Sequence, residues 1–150
     1  MLSLLVGIDT EGDNQWSADA RLNQRFENIY ALPRLHALFQ EHRVRPTYLI
    51  TWPVARDARS AAVLRELLSA RDCEVGAHHH AWETPPCTEG DVRRHPYALQ
   101  LPAAQFAAQL DSLTHAIGDA VGERPLSYRS GRFGFCAGHV SSLERAGYTV

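Results

Sequence analysis

Three consecutive histidines, His78, His79 and His80, are the densest run of metal-binding side chains in the sequence. Neutral imidazole is the commonest nitrogen ligand for zinc and similar ions. On an extended segment alternate residues share a face, so His78 and His80 point one way and His79 the other. Their Cα atoms then lie ~6.5–7 Å apart, and two rings can converge on one ion at ~2.1 Å. A bare His-x-His also suits a solvated polar loop, so its weight depends on what else arrives beside it. Asp9-Thr10-Glu11-Gly12-Asp13 brings carboxylates. Asp9 and Glu11 share a face, so one can ligate an ion while the other takes a proton from a water. Alone, this segment equally suits a helix cap and a turn.

Arg129 and Arg132 stand in Ser127-Tyr128-Arg129-Ser130-Gly131-Arg132-Phe133-Gly134. A planar guanidinium beside a working carboxylate neutralises and orients it, and the glycines allow close backbone approach to a ligand. The alternative is a surface ion pair in a flexible loop. Trp16, Trp52, Trp82 and Phe133 offer aromatic faces that pack on the apolar faces of sugar rings as well as on core. His36, His42, His95, His115 and His139 are scattered and read as surface or satisfied core residues.

Positioning these groups falls to an alternation of strand-like and helix-like segments. Ser3–Ile8 is an apolar run typical of a strand buried on both faces. Leu32–Phe39 reads as a helix with Pro33 in its first turn. Pro46–Thr51 is a second strand, stopped by Trp52-Pro53, and Ala61–Ala70 a second helix. Cys73–Ala77 is a third strand running into the histidines, followed by a loop from about Trp82 to Leu101. The clearest helix spans Ala103–Val121, where Phe106, Leu110, Leu113 and Ile117 recur at helical spacing. Leu126–Arg129 is a fourth strand. Val140–Ala146 is a helix closing at Gly147, and Tyr148–Val150 opens a fifth strand. This order predicts an α/β fold with parallel strands and right-handed crossovers. Chemistry in such folds gathers at the C-terminal edge of the strands. Here the carboxylates, imidazoles, aromatics and arginines follow successive strands.

Composition narrows the classes. The chain has 150 residues, 45% hydrophobic and 21% charged, and a formal net charge of −2, which suits one globular domain and not a nucleic-acid surface. Cys73, Cys87 and Cys136 match neither a disulfide framework nor a Cys-x-x-Cys pair. They are expected to be small buried or half-buried side chains, as in a reducing compartment. The first eight residues lack the basic region and cleavage pattern of a signal peptide, and no apolar run approaches a membrane span. A cytoplasmic location is therefore expected.

These motifs together resemble the polysaccharide deacetylase family, known also as the NodB-homology family or carbohydrate esterase family 4. Asp9-Thr10-Glu11-Gly12-Asp13 is similar to its first motif, Glu74-Val75-Gly76-Ala77-His78-His79-His80 to its second and Tyr128-Arg129-Ser130-Gly131-Arg132-Phe133 to its third, in the same order. The resemblance implies an irregular parallel (β/α) barrel, with residues 1–150 supplying its N-terminal five strands without the late motifs. It implies Asp9 as base and Arg129 as its partner. It implies a divalent metal held by His78, His80 and either Glu11 or Asp13: zinc first, with cobalt, iron or nickel as alternatives. Trp82 stands where the family has its second metal histidine, so His80 takes that part. Trp52, Trp82, Arg132 and Phe133 are the expected substrate contacts. The expected activity is removal of N-acetyl groups from a sugar or polysaccharide, against a carbohydrate-binding domain that keeps the cleft without turnover. A phosphoesterase with its His-x-His on the first strand fits less well, because the pair here follows the third.

Overall fold

The structure is a computed structural model that describes residues 4–94 and 96–149. Four strands form one all-parallel sheet in chain order: β1 (Val6–Thr10), β2 (Pro46–Ile50), β3 (Glu74–His79) and β4 (Tyr128–Ser130). Helices α1 (Ala18–Leu22), α2 (Glu27–Tyr30) and α3 (Leu32–Glu41) connect β1 to β2. Helices α4 (Trp52–Arg56) and α5 (Ala58–Ser69) lead to β3, and α6 (Glu89–Arg94) and α7 (Ala103–Val121) lead to β4. Helix α8 (Val140–Arg145) follows. The α/β class expected from the sequence is the one observed.

Period-two alternation gives the sheet two different faces. The partner rows Ile8–Tyr48–Val75 and Thr10–Ile50–Ala77–Tyr128 lie on one of them. Tyr48, Ile50, Val75 and Ala77 enter the core there with Val54 of α4, Leu64 of α5, and Phe106, Leu110, Leu113 and Ile117 of α7. The stripe foreseen on α7 is thus the face it buries. Each such Leu, Ile or Phe contributes about 1.5–3 kcal/mol through burial.

The other face carries Asp9–Leu49–Gly76 and His78–Arg129, and it is concave. Three inter-strand steps of about 4.8 Å would set β1 and β4 ~14 Å apart in a flat sheet. Instead the Arg129 guanidinium on β4 donates to the Asp9 carboxylate on β1 at 2.6 Å. A Cβ at Gly7 would collide with the Arg129 side chain, so a glycine on β1 leaves the arginine room. The sheet is curled into a half barrel.

Several boundaries differ from expectation. β1 begins at Val6 and continues through Thr10, so Asp9 sits inside the strand; Ser3 lies outside the described residues. The segment Trp82–Leu101, expected as loop, contains α6 and a 3-10 turn at Ala98–Gln100. Thr88 and Asp91 exchange backbone-to-side-chain hydrogen bonds at 2.8 and 3.2 Å ahead of α6, a reciprocal cap whose Thr-x-x-Asp spacing was in the sequence. The expected fifth strand is not formed at Tyr148 or Thr149, and Val150 lies outside the described residues. Thr149 N does donate to Leu126 O at 2.9 Å, so the chain returns beside the approach to β4 without making a ladder. Gly147 closes α8 at φ +81, as foreseen.

Cys73 is buried and Cys87 half-buried, but Cys136 is exposed, contrary to expectation, on the turn before α8. His36 and His139 are buried, while His42 and His115 are exposed; His95 lies outside the described residues. Among the described residues no helix is long and apolar enough to cross a membrane.

Candidate metal centre

β3 delivers His78 to the concave face, and His80 follows just past the strand end on the same side. Their ring centroids are 4.5 Å apart and nearly perpendicular, at 84°. Glu11, one residue beyond β1, meets them: its Oε2 lies 2.9 Å from His80 Nε2 and 3.7 Å from His78 Nε2. Two donors at ~2.1 Å from one tetrahedral ion stand ~3.4 Å apart, and the observed pair of distances brackets that value. His78 Nδ1 is 3.1 Å from the carbonyl of Arg129, an acceptor. Its proton therefore sits on Nδ1 and the Nε2 lone pair faces Glu11 and His80, the arrangement in which a ligating histidine is oriented by a second partner. The donor set fits a divalent cation such as zinc. Burial pushes the His78 imidazole below its ordinary value, against the opposing pull of Asp9 and Glu11, which suits a neutral ligand.

Asp9 stands beside this trio. Its Oδ1 accepts from Arg129 Nη1 at 2.6 Å, while its Oδ2 is 3.8 Å from His78 Nε2. The guanidinium holds one oxygen and leaves the other turned toward the histidines. Gly131 makes the close packing of β4 against β3 feasible, since a Cβ there would sit 2.8 Å from His79 O and 3.0 Å from the His80 ring.

His79 points to the opposite face, as alternation requires, and is fully buried. Gln109 of α7 donates its amide nitrogen to the carbonyls of Ala81 and Pro86, each at 3.0 Å. Gln109 Oε1 then accepts from His79 Nε2 at 2.8 Å, and Tyr128 OH, 3.1 Å away, donates to His79 Nδ1. This environment has no place for a second ring proton, and burial pushes the His79 value down to about 4. The bonds through Gln109 tie α7 to the chain on both sides of His80.

Asp13 is not part of the trio. Its carboxylate accepts from the backbone N–H groups of Glu27 and Asn28 at 3.1 and 3.2 Å, so it caps the start of α2. Asn28 in turn donates to Glu11 O at 2.8 Å. The choice between Glu11 and Asp13 falls on Glu11, because the chain from Arg25 to Asn28 comes back and captures Asp13.

The expected substrate residues scatter. Trp82 is 1% exposed and meets the His80 ring edge-on at a centroid distance of 4.0 Å, so it is a wall behind the histidine and not an open platform. Arg132, at φ 51, lays its guanidinium 5.1 Å over Trp82 and 3.7 Å over Tyr97. Trp52 opens α4 and packs half-buried against the hydrophobic core, and it is not among the residues that line the cavity beside Glu11. Phe133 is 81% exposed and lines a separate hollow of about 290 Å³ with Tyr128, Arg129, Phe135 and Leu143.

Sequence reading missed two groups at the site. Glu83 is buried, accepts from Gln24 Nε2 at 2.9 Å, and is pushed up to about 8 by burial and the nearby charge of Glu11. Gln15 is buried beside Glu11 and His80. No local pattern marks either residue, because each is buried by segments distant in sequence. A second group of metal-type ligands, His36, Asp72 and Cys73, lies on α3 and before β3. There His36 is bonded at Nδ1 to Tyr48 OH and at Nε2 to Asp72, at 2.9 and 3.0 Å, which accounts for both ring nitrogens.

No protein-family model matches the chain, and no curated protein matches it.

Proposed function

We propose that this chain is a metal-dependent hydrolase of the polysaccharide deacetylase type, acting on N-acetyl groups of a carbohydrate. The observation that carries the reading is the convergence of Glu11, His78 and His80 beside the Asp9–Arg129 pair at the C-terminal edge of a curled parallel sheet. A cation bound there would polarise an acyl carbonyl and acidify a water. Asp9 Oδ2, the oxygen Arg129 leaves open, is placed to take a proton from that water. Attack of the water oxygen on the acetyl carbon and breakage of the C–N bond yield acetate and an amine, and the proton taken by Asp9 is available to the departing nitrogen. Arg129 fixes the direction in which Asp9 works, and His78 is fixed in turn through the Arg129 carbonyl. Trp16, 76% exposed at the cavity mouth, offers a face for a sugar ring.

The test measures metal content and acetate release from an N-acetylated oligosaccharide, for the protein and for the His78→Ala/His80→Ala double variant. One divalent ion per chain, release abolished by a chelator and restored by zinc, and loss of both properties in the double variant are expected. Equal metal content in the two proteins would sink the reading. Metal bound without acetate release would favour a carbohydrate-binding domain with the same cleft.

A further inference from the structure

Helix α3 meets the approach to β3 at the second cluster of ligand-type side chains. Arg71, at φ 57, turns the chain sharply after α5, and Arg45 holds that turn by donating to Arg71 O at 3.1 Å. Successive residues on a regular strand point to opposite faces. Asp72 and Cys73 precede β3 and escape that alternation. A ring nitrogen of His36, a carboxylate oxygen of Asp72 and the sulfur of Cys73 accordingly all lie within 4.8 Å of one another. His36 and Cys73 are buried, while the Asp72 side chain is 33% exposed and gives an ion and a water a way in.

The atoms turned away from this cluster are already held. His36 Nδ1 is 2.9 Å from Tyr48 OH, and Gln40 Nε2 donates to Asp72 Oδ2 at 2.8 Å. His36 Nε2 and Asp72 Oδ1 face each other at 3.0 Å, close to the ~3.4 Å between two ligands of a tetrahedral ion. Partners on the non-ligating atoms are what orient the ligands of a metal site. With Nδ1–H donating to Tyr48, the Nε2 lone pair is open to a cation. A thiolate and a carboxylate cancel the charge of a divalent ion, as a largely buried site requires. Sulfur and imidazole together favour zinc-like ions over magnesium or calcium.

We propose that His36, Asp72 and Cys73 form a second cation site, for a thiophilic divalent ion such as zinc, that ties α3 to the turn entering β3. Water completes the tetrahedron. The site is independent of the proposed function: Cys73 and His78 are five residues, ~16 Å, apart along β3. Without an ion, His36 bonds Asp72 directly, and burial with the charge of Asp72 pushes the Cys73 thiol up to about 11. The ion must displace that thiol proton and part that bond. This is therefore the weaker of the two sites, filled by added metal and not by the ion retained through purification.

The experiment uses the His78→Ala/His80→Ala double variant, which lacks the first site, and titrates it with cobalt(II). One cobalt per chain should bind, with the near-ultraviolet charge-transfer absorption of a cobalt–thiolate bond. Adding Cys73→Ser should remove that absorption, and adding Cys136→Ser should leave it intact. Adding Asp72→Asn, at a partly exposed position, should keep the fold and weaken cobalt binding at least ~10-fold. Zinc at ~100 times its dissociation constant should raise the melting temperature of the double variant by roughly 5–10 °C. Absence of the absorption, its persistence in Cys73→Ser, its loss in Cys136→Ser, unchanged affinity in Asp72→Asn, or no rise in melting temperature would each overturn the assignment. None of these outcomes bears on acetate release, so this site and the hydrolase reading stand or fall separately.

Discussion

Glu11→Gln and Asp13→Asn, made separately, distinguish a metal ligand from a helix cap two residues away. Glu11 Oε2 lies 2.9 and 3.7 Å from the two histidine nitrogens, close to the ~3.4 Å spacing of ligands on a common tetrahedral ion. Removing its charge takes away one of three donors. Even orienting groups behind a ligand are worth 10–100-fold in metal affinity, so loss of the ligand should cost on the order of 100-fold or more, ~2.7 kcal/mol. Asp13 makes two hydrogen bonds to backbone N–H groups at 3.1 and 3.2 Å and none to the histidines among the described contacts. A cap of this kind contributes about 1 kcal/mol, equivalent to roughly 2–4 °C of melting temperature for a domain of this size. Asp13→Asn should accordingly melt slightly lower while binding metal within ~3-fold of the unaltered protein. Glu11→Gln should melt near the metal-free protein and bind metal weakly. Competition titration against a chromophoric chelator measures the first quantity and calorimetric melting the second. If Asp13→Asn loses metal while Glu11→Gln retains it, the geometric argument fails, and the turn after β1 is wrongly assigned.

Asp9→Asn should abolish acetate release while leaving metal content near that of the unaltered protein, since Arg129 and not the ion holds its near oxygen; loss of metal with activity intact would reverse the roles of Asp9 and Glu11. His79 makes stability depend on pH. Its folded value is pushed down to about 4 from the ordinary 6.5, so the unfolded chain gains a proton that the native one does not as pH falls. Its contribution is present in full above pH 6.5 and is lost toward pH 4, at ~1.4 kcal/mol per pH unit and on the order of 3 kcal/mol in all. His78 and His139 are lowered too and act in the same direction. The informative quantity is therefore the difference in pH slope between the protein and His79→Gln in denaturant unfolding. A slope difference near one proton is expected, and parallel profiles would show that His79 titrates as if in water.

What could be read from the chain alone was whatever depends on backbone periodicity. Alternation on a strand puts His78 and His80 on one side and His79 on the other, whatever surrounds them. The 3.6-residue period identifies Phe106, Leu110, Leu113 and Ile117 as the buried stripe of α7, whose ends at Ala103 and Val121 were also legible. The parallel sheet followed from the alternation of strands with helices. Alternation could not separate Glu11 from Asp13, because residues 9, 11 and 13 all share a face in an extended segment. That separation depends on the segment Arg25–Asn28 returning to bond Asp13, a contact between parts of the chain that do not adjoin. The Arg129–Asp9 pair spans 120 residues and exists because the sheet curls; a flat sheet of the same strands would hold the two groups apart. The burial of Gln15 and Glu83, and of Trp82 behind His80, likewise comes from packing between distant segments. Backbone geometry sets which way a side chain leaves its own strand, while only the curl of the sheet and the return of the loops decide which side chains meet.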